Sequence, residues 1–201
     1  MPIAVDIRDE QSVADAVSQT IEHFGRIDVL VNNASAINLA PILDMSMKTY
    51  DLLMNVNMRA TYLCAKACLP HLLLSDNPHI LTLSPPLNMQ AKWFNKHLAY
   101  TMSKYGMSLT TLGLAEEYRA RGIAVNSLWP KTLIATAAIA NNLPKHYYEG
   151  TRKPTIVAEA AYAIMCSNSR ELTGNFLIDE DFLRSRGCVI LQSSRCVLVR
   201  N

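Results

Sequence analysis

Short apolar runs alternate along this chain with long segments of helical period, and few folds satisfy that alternation. The runs "IAVD" (3–6), "IDVLVNNA" (27–34), "HILTLS" (79–84), "IAVNSLWP" (123–130) and "NFLID" (175–179) read as strands. Between the first two, Val13, Ala16, Val17, Thr20, Ile21 and Phe24 form one stripe at helical spacing, which Gly25 ends. The segment 46–74 repeats the period through Leu52, Leu53, Val56, Leu63, Ala67 and Leu69. A third helix is predicted over 98–120, stopping at the basic residues and glycine of "RARG", and a fourth over 155–167. Strands that alternate with helices make βαβ units, so the expected class is α/β, a parallel sheet covered on both faces.

Residues 135–155, "ATAAIANNLPKHYYEGTRKPT", break the pattern with Asn141-Asn142, Pro144, Gly150 and Pro154. An irregular insertion of this length in a compact domain suits a lid beside a ligand. No repeat or low-complexity linker divides the chain, so a single domain is expected.

Half the residues are hydrophobic, 18% are charged and the formal net charge is +2, enough apolar material for one sizeable core. No basic run or aromatic-basic interleaving marks a nucleic-acid or anionic-membrane surface, so the expected partner is a small molecule. The longest apolar stretches stop well short of the roughly 18 residues that span a bilayer, and "MPIAVDIRDE" has no leader pattern. Read as written, the chain carries no address and would stay in the cytoplasm. Its five cysteines form no C-x-x-C pair and its five histidines no ligand spacing, so reduced thiols and no metal are expected.

Chemistry enters with a tyrosine and a lysine four positions apart, which occurs twice: Tyr100 with Lys104 in "AYTMSKYGMS", and Tyr62 with Lys66 in "TYLCAKACLP". Random placement gives about 0.3 such pairs, so spacing alone decides nothing. Position does. Tyr100 and Lys104 open the helix after "HILTLS", near the C-terminal end of a parallel sheet, where open α/β folds bind ligands. Tyr62 and Lys66 fall in mid-helix and read as a decoy.

With that pair placed, the chain resembles the short-chain dehydrogenase/reductase family. The stretches that carry the likeness are "VDIRDE" (5–10), "GRIDVLVNNASAI" (25–37), "LMNVNMRATYL" (53–63), "HILTLSPPLN" (79–88), "AYTMSKYGMS" (99–108), "IAVNSLWPKT" (123–132) and "LTGNFLIDED" (172–181), in family order across 1–182. The resemblance implies hydride transfer between NADP or NAD and a hydroxyl or carbonyl of a lipid- or steroid-like substrate. Tyr100 would be the general acid/base. A free phenol titrates near 10, and Lys104 would correct this by favouring the phenolate while holding the nicotinamide ribose. Asn57 matches the asparagine that holds a water in the proton path. Asn32, Asn33 and Ala34 match the turn that supports the adenine side, with Ser35 where glycine is commoner. For the asparagines, a plain strand-end turn is an equal alternative. Asp6 matches an adenine contact. Pro130 and Thr132 match the turn facing nicotinamide, with Lys131 in place of glycine. Trp93, Phe94 and His97 line a pocket or simply pack. The resemblance also implies a homo-oligomer formed through the helices at 46–74 and 98–120, and a peroxisomal or mitochondrial location.

Three departures qualify the likeness. The family opens with a strand, a glycine-rich turn and a helix that hold the pyrophosphate, whereas the first of seven glycines here is Gly25. In the family order 3-2-1-4-5-6-7 the runs at 3–6 and 27–34 are the third and fourth strands. The expected fold is therefore a partial Rossmann-type sheet lacking the first two strands, with "VLV" at an exposed edge. The chain reads as an N-terminally truncated product unable to bind the dinucleotide usefully, and a silent scaffold or dimerisation module is the alternative to an enzyme. Second, the helper serine's position holds Pro85, and Ser84 is the nearest substitute. Third, the tail 183–201 matches no family helix and lacks a peroxisomal C-terminal tripeptide.

Overall fold

The structure is a computed structural model that describes residues 1–142, 144, 151–190, 196 and 197. Four parallel strands, β1 (Val29–Asn32), β2 (His79–Thr82), β3 (Ala124–Trp129) and β4 (Phe176–Ile178), form one sheet in the order β1-β2-β3-β4. Register runs Val29 beside His79, His79 beside Ala124 and Ser127 beside Phe176.

Side-chain alternation across the strands sorts the core into two layers. Ile80 and Val125 face one cluster with Leu69, Leu72, Leu114 and Ile123, brought by α3 (Ala60–Leu72), α4 (Leu98–Glu117) and the loops between. Leu81 and Leu128 face the other with Ile156, Ile164, Phe182 and Leu183, from α6 (Thr155–Met165) and α7 (Asp179–Ser185). The α/β class with both faces covered is thus realised. The chain keeps packing past residue 182, since α7 runs to Ser185 and Cys188 is buried in that second layer. Val189–Ile190 (β5) and Cys196–Val197 (β6) form a separate antiparallel pair.

One predicted strand is absent. Residues 3–6 pair with nothing among the described residues and lie along the surface. A strand needs a neighbour to take its backbone hydrogen bonds. Here the end of the segment is held instead by its own chain, the Asp6 amide donating to Ser12 Oγ at 3.1 Å and the Asp6 carbonyl accepting from the Asp9 amide at 3.1 Å. Just beyond it, the Arg59 guanidinium donates to the Arg8 carbonyl at 2.7 Å and to Glu10 at 2.8 Å. β1 is an edge as expected, with Val29 37% and Val31 42% exposed.

Local signals explain the helix ends. Helix α1 (Glu10–Phe24) starts where the Asp9 carboxylate accepts from the Ser12 amide at 2.7 Å and stops at Gly25, which takes a left-handed φ of 77°. The helical stretch predicted over 46–74 is not uniform. Helix α2 (Met47–Leu53) passes into a π-helical segment, Met54–Arg59, before α3 begins. Such widened turns re-aim a side chain, and here the side chain is Asn57. Gly106 of α4 packs against this segment so closely that an added Cβ would sit 2.5 Å from Met58 Cγ. That spacing brings the π turn and the start of α4 together.

Candidate active site

Leu83 leaves the C-terminal end of β2, Trp129 ends β3, and α4 starts beside them. A cavity of about 920 Å³ opens there, within the size range of small-molecule sites. Its inner wall carries Val31, Asn33, Leu83, Tyr100, Lys104, Trp129, Pro130 and Thr132. Its outer wall is mostly apolar, with Leu133, Ile134, Val157 and Ala161. Helix α5 (Ala137–Asn142) adds Ala138 and Ile139, so part of the insertion at 135–155 forms the cavity wall; residues 143 and 145–150 lie outside the described residues. The excursion is closed at its base: Ala135 donates to the Arg152 carbonyl at 2.8 Å, and the Arg152 amide to Leu133 at 2.9 Å.

Tyr100 and Lys104 both reach the cavity, one helical turn apart. Lys104 is 5% exposed and donates to the Leu83 carbonyl at 2.9 Å, with Met107 Sδ at 3.5 Å. Burial disfavours its cation and lowers its pKa to about 8, while burial raises that of the Tyr100 phenol. Tyr62, 59% exposed on α3, and Lys66, also exposed, are not at the cavity.

Asn57 is fully buried, yet all its amide donors and acceptors are used locally. It accepts from the Ala36 amide at 2.7 Å and donates to the Ala36 carbonyl at 3.0 Å and to Ser103 Oγ at 2.8 Å. Ser103 in turn donates to the Tyr100 carbonyl at 2.8 Å. The asparagine therefore clamps the loop after β1 to the turn of α4 that carries Tyr100 and Lys104. Sequence reasoning missed Ser103, whose one signal was its place between them.

Ser84 is not brought to the cavity. Its hydroxyl is fully buried and lies 2.8 Å from Ser127 Oγ, which donates to Thr111 at 2.9 Å. This correction has a plain cause: after β2 successive side chains alternate faces, so Leu83 points into the cavity and Ser84 points away from it.

The expected adenine-side residues scatter. Asp6 is exposed, and the Arg8 side chain and amide take its carboxylate, lowering its pKa to about 2. Asn32 is buried with its amide 3.5 Å from Thr82 Oγ1, whereas Asn33 lines the cavity and Ala34 is exposed. Pro130 and Thr132 line the cavity. Between them, the Lys131 amide donates to Asp179 at 2.9 Å and its ammonium to Asp181 at 2.6 Å. Glu180, beside them, pairs with Arg152 at 2.5 Å and Arg184 at 2.9 Å. Of the aromatic candidates, Phe94 packs edge-on against Tyr105, Trp93 is 51% exposed, and His97 binds the Leu39 carbonyl at 2.6 Å. Among the described residues no group of His, Cys, Asp and Glu is arranged to hold a metal, and no helix is long and apolar enough to cross a membrane.

Residues 1–178 match the family described as enoyl-(acyl carrier protein) reductase. Hydroxysteroid dehydrogenase-like protein 2 of Danio rerio is 54% identical over 187 residues, covering 93% of this chain and 45% of that protein. The Homo sapiens protein of the same name is 51% identical over 187 residues, 93% of this chain and 44% of its own length. The chain thus spans less than half the length of these curated relatives. A solved short-chain dehydrogenase from Mycobacterium thermoresistibile superposes with a TM-score of 0.86 at 46% identity, covering 95% of this chain and 68% of that one.

Proposed function

The chain belongs to the short-chain dehydrogenase/reductase family, and from that premise we propose that its cavity exchanges a hydride between NADP(H) or NAD(H) and a hydroxyl or carbonyl of a lipid- or steroid-like substrate. The observation that carries this reading is the pair itself: Tyr100 and Lys104 line one cavity at the C-terminal ends of the strands. A bound nicotinamide would supply or take up the hydride. Tyr100 exchanges the proton with the substrate oxygen, and its raised pKa keeps the phenol protonated at neutral pH, ready to donate to a carbonyl undergoing reduction. Lys104, with one N–H left beyond Leu83 and Met107, holds the ribose side and stabilises the phenolate as the proton leaves. Asn57 acts by fixing the turn that carries both. The largely apolar outer wall suits a hydrocarbon body, and Asn33, Pro130 and Thr132 border the nicotinamide end.

The fit is good at that end and poor at the other. Asp6 is committed to Arg8, and the glycine-rich pyrophosphate turn has no counterpart among these 201 residues. The unpaired segment 3–6 and the exposed edge of β1 favour a second reading for the 201-residue chain on its own, a scaffold or dimerisation module. Met102, Leu109 and Leu112 on α4, with Tyr62 on α3, offer an apolar face for a homo-oligomer. A peroxisomal or mitochondrial location is part of the same proposal, as the family resemblance implies.

Calorimetric titration with NADPH and NADH, followed by turnover assays on apolar ketones, tests the first reading. Binding with Tyr100-dependent turnover supports it; cofactor binding with turnover indifferent to Tyr100→Phe sinks the assigned chemistry. For the 201-residue chain alone, micromolar NADPH binding eliminates the scaffold reading.

A further inference from the structure

Trp129 is the last residue of β3 and is half-buried in the cavity wall. Its ring centroid stands 5.6 Å from Lys104 Nζ, within the range where an aromatic face attracts a cation. The lysine needs such a contact. Of its three N–H donors, one reaches the Leu83 carbonyl and one the Met107 sulfur, both uncharged, and the side chain has given up nearly all its water. The other ionisable groups lining the cavity, among the described residues, are Tyr100 on the same helix and Lys131 on the turn after β3. Lys131 is engaged by Asp181. Strands β1 and β2 present Val31, Asn33 and Leu83, and α6 presents Val157, Ala158 and Ala161, so among the described residues no carboxylate lines the cavity to neutralise the ammonium.

We propose that Trp129 is a positioning residue whose ring face keeps Lys104 charged and aimed inside the cavity, in the place a carboxylate would otherwise take. Its consequence for turnover rests on the oxidoreductase reading, because a cationic Lys104 is what makes the Tyr100 phenolate accessible. The charge state itself does not depend on that reading and is measurable in the protein without cofactor.

Two tryptophans occur in the chain, so Trp93→Phe leaves Trp129 as the single indole reporter. Its emission is followed from pH 6 to 10, alone and with Lys104→Met. In parallel, the Lys104 resonance of 13C-methylated protein is titrated in the wild type, Trp129→Phe and Trp129→Leu. The expected result is an emission transition near pH 8 that Lys104→Met removes, and a Lys104 midpoint that falls in the order Trp, Phe, Leu, by about half a pH unit overall. A midpoint unchanged or raised in Trp129→Leu, or an emission transition that survives Lys104→Met, overturns the proposal. Should the leucine variant fail to fold by circular dichroism, the emission arm decides, since it keeps Trp129 in place. Loss of NADPH turnover with this order intact would count against the oxidoreductase reading alone; turnover with the order lost would count against Trp129 alone.

Discussion

Asn57 and Ser103 stand 46 positions apart in sequence and share a 2.8 Å hydrogen bond in the buried interior. Through it the π-helical segment, the loop after β1 and the first turns of α4 become one unit, because Asn57 also bonds both backbone groups of Ala36. Asn57→Ala leaves those groups and Ser103 without that partner. Each buried unpaired polar group costs about 1–3 kcal/mol, so a loss of about 3 kcal/mol is expected after partial rescue by water. Urea denaturation measures it, and a midpoint within error of wild type refutes the clamp.

Gly106 tests the same unit sterically. A methyl at this position overlaps Met58 Cγ, Sδ and Cβ, and Met58 is itself part of the π segment. Gly106→Ala should destabilise by about 1–3 kcal/mol. Met58→Ala removes two of the three overlaps, so the double variant should recover part of that loss in a double-mutant cycle. Strict additivity would mean that the two sites do not press on each other.

Ser84 separates a structural hydroxyl from a catalytic one. Bonded to Ser127 and turned from the cavity, it should matter to folding and not to chemistry. Ser84→Ala is expected to cost about 1 kcal/mol in stability with kcat held within about twofold, against the 100-fold or larger fall expected of Tyr100→Phe. A comparable fall in both variants would return Ser84 to the site.

His79 supplies a pH signature. It is 1% exposed, with Nε2 against the Ser167 carbonyl at 3.1 Å, and burial lowers its pKa below the ordinary 6.5. A lowered folded-state pKa means that the unfolded chain binds the proton more readily. The stabilisation is therefore complete above pH 6.5 and drains away as pH falls through the folded value. Unfolding free energies between pH 7.5 and 5 should decline on this account, and His79→Gln should flatten that decline even if it lowers the whole curve.

Much of this was readable in the sequence because the signals are local. Gly25 ends α1 through its own backbone preference, and the apolar runs around 79–82 and 124–129 read as strands, which the sheet buries on both faces. Tyr100 and Lys104 fell together on a helix after a strand, as spacing and order required. The failures share a different origin. Residues 3–6 have strand composition, yet a strand forms only against a neighbour, and Ser84 has the right hydroxyl one residue from the direction a catalytic role demands.

By itself, then, the sequence determined the parallel α/β sheet, the order of its elements and the placement of Tyr100 and Lys104 on one helix after a strand, because hydrophobic period, capping and helical spacing act within a few residues. Tertiary structure alone decided which way each polar side chain faces and what it meets: Asn57 with Ser103, Ser84 with Ser127, Lys104 with Trp129. Those contacts join residues brought together by the packing of separate elements, and in a desolvated interior it is the partner across the gap that sets charge and orientation.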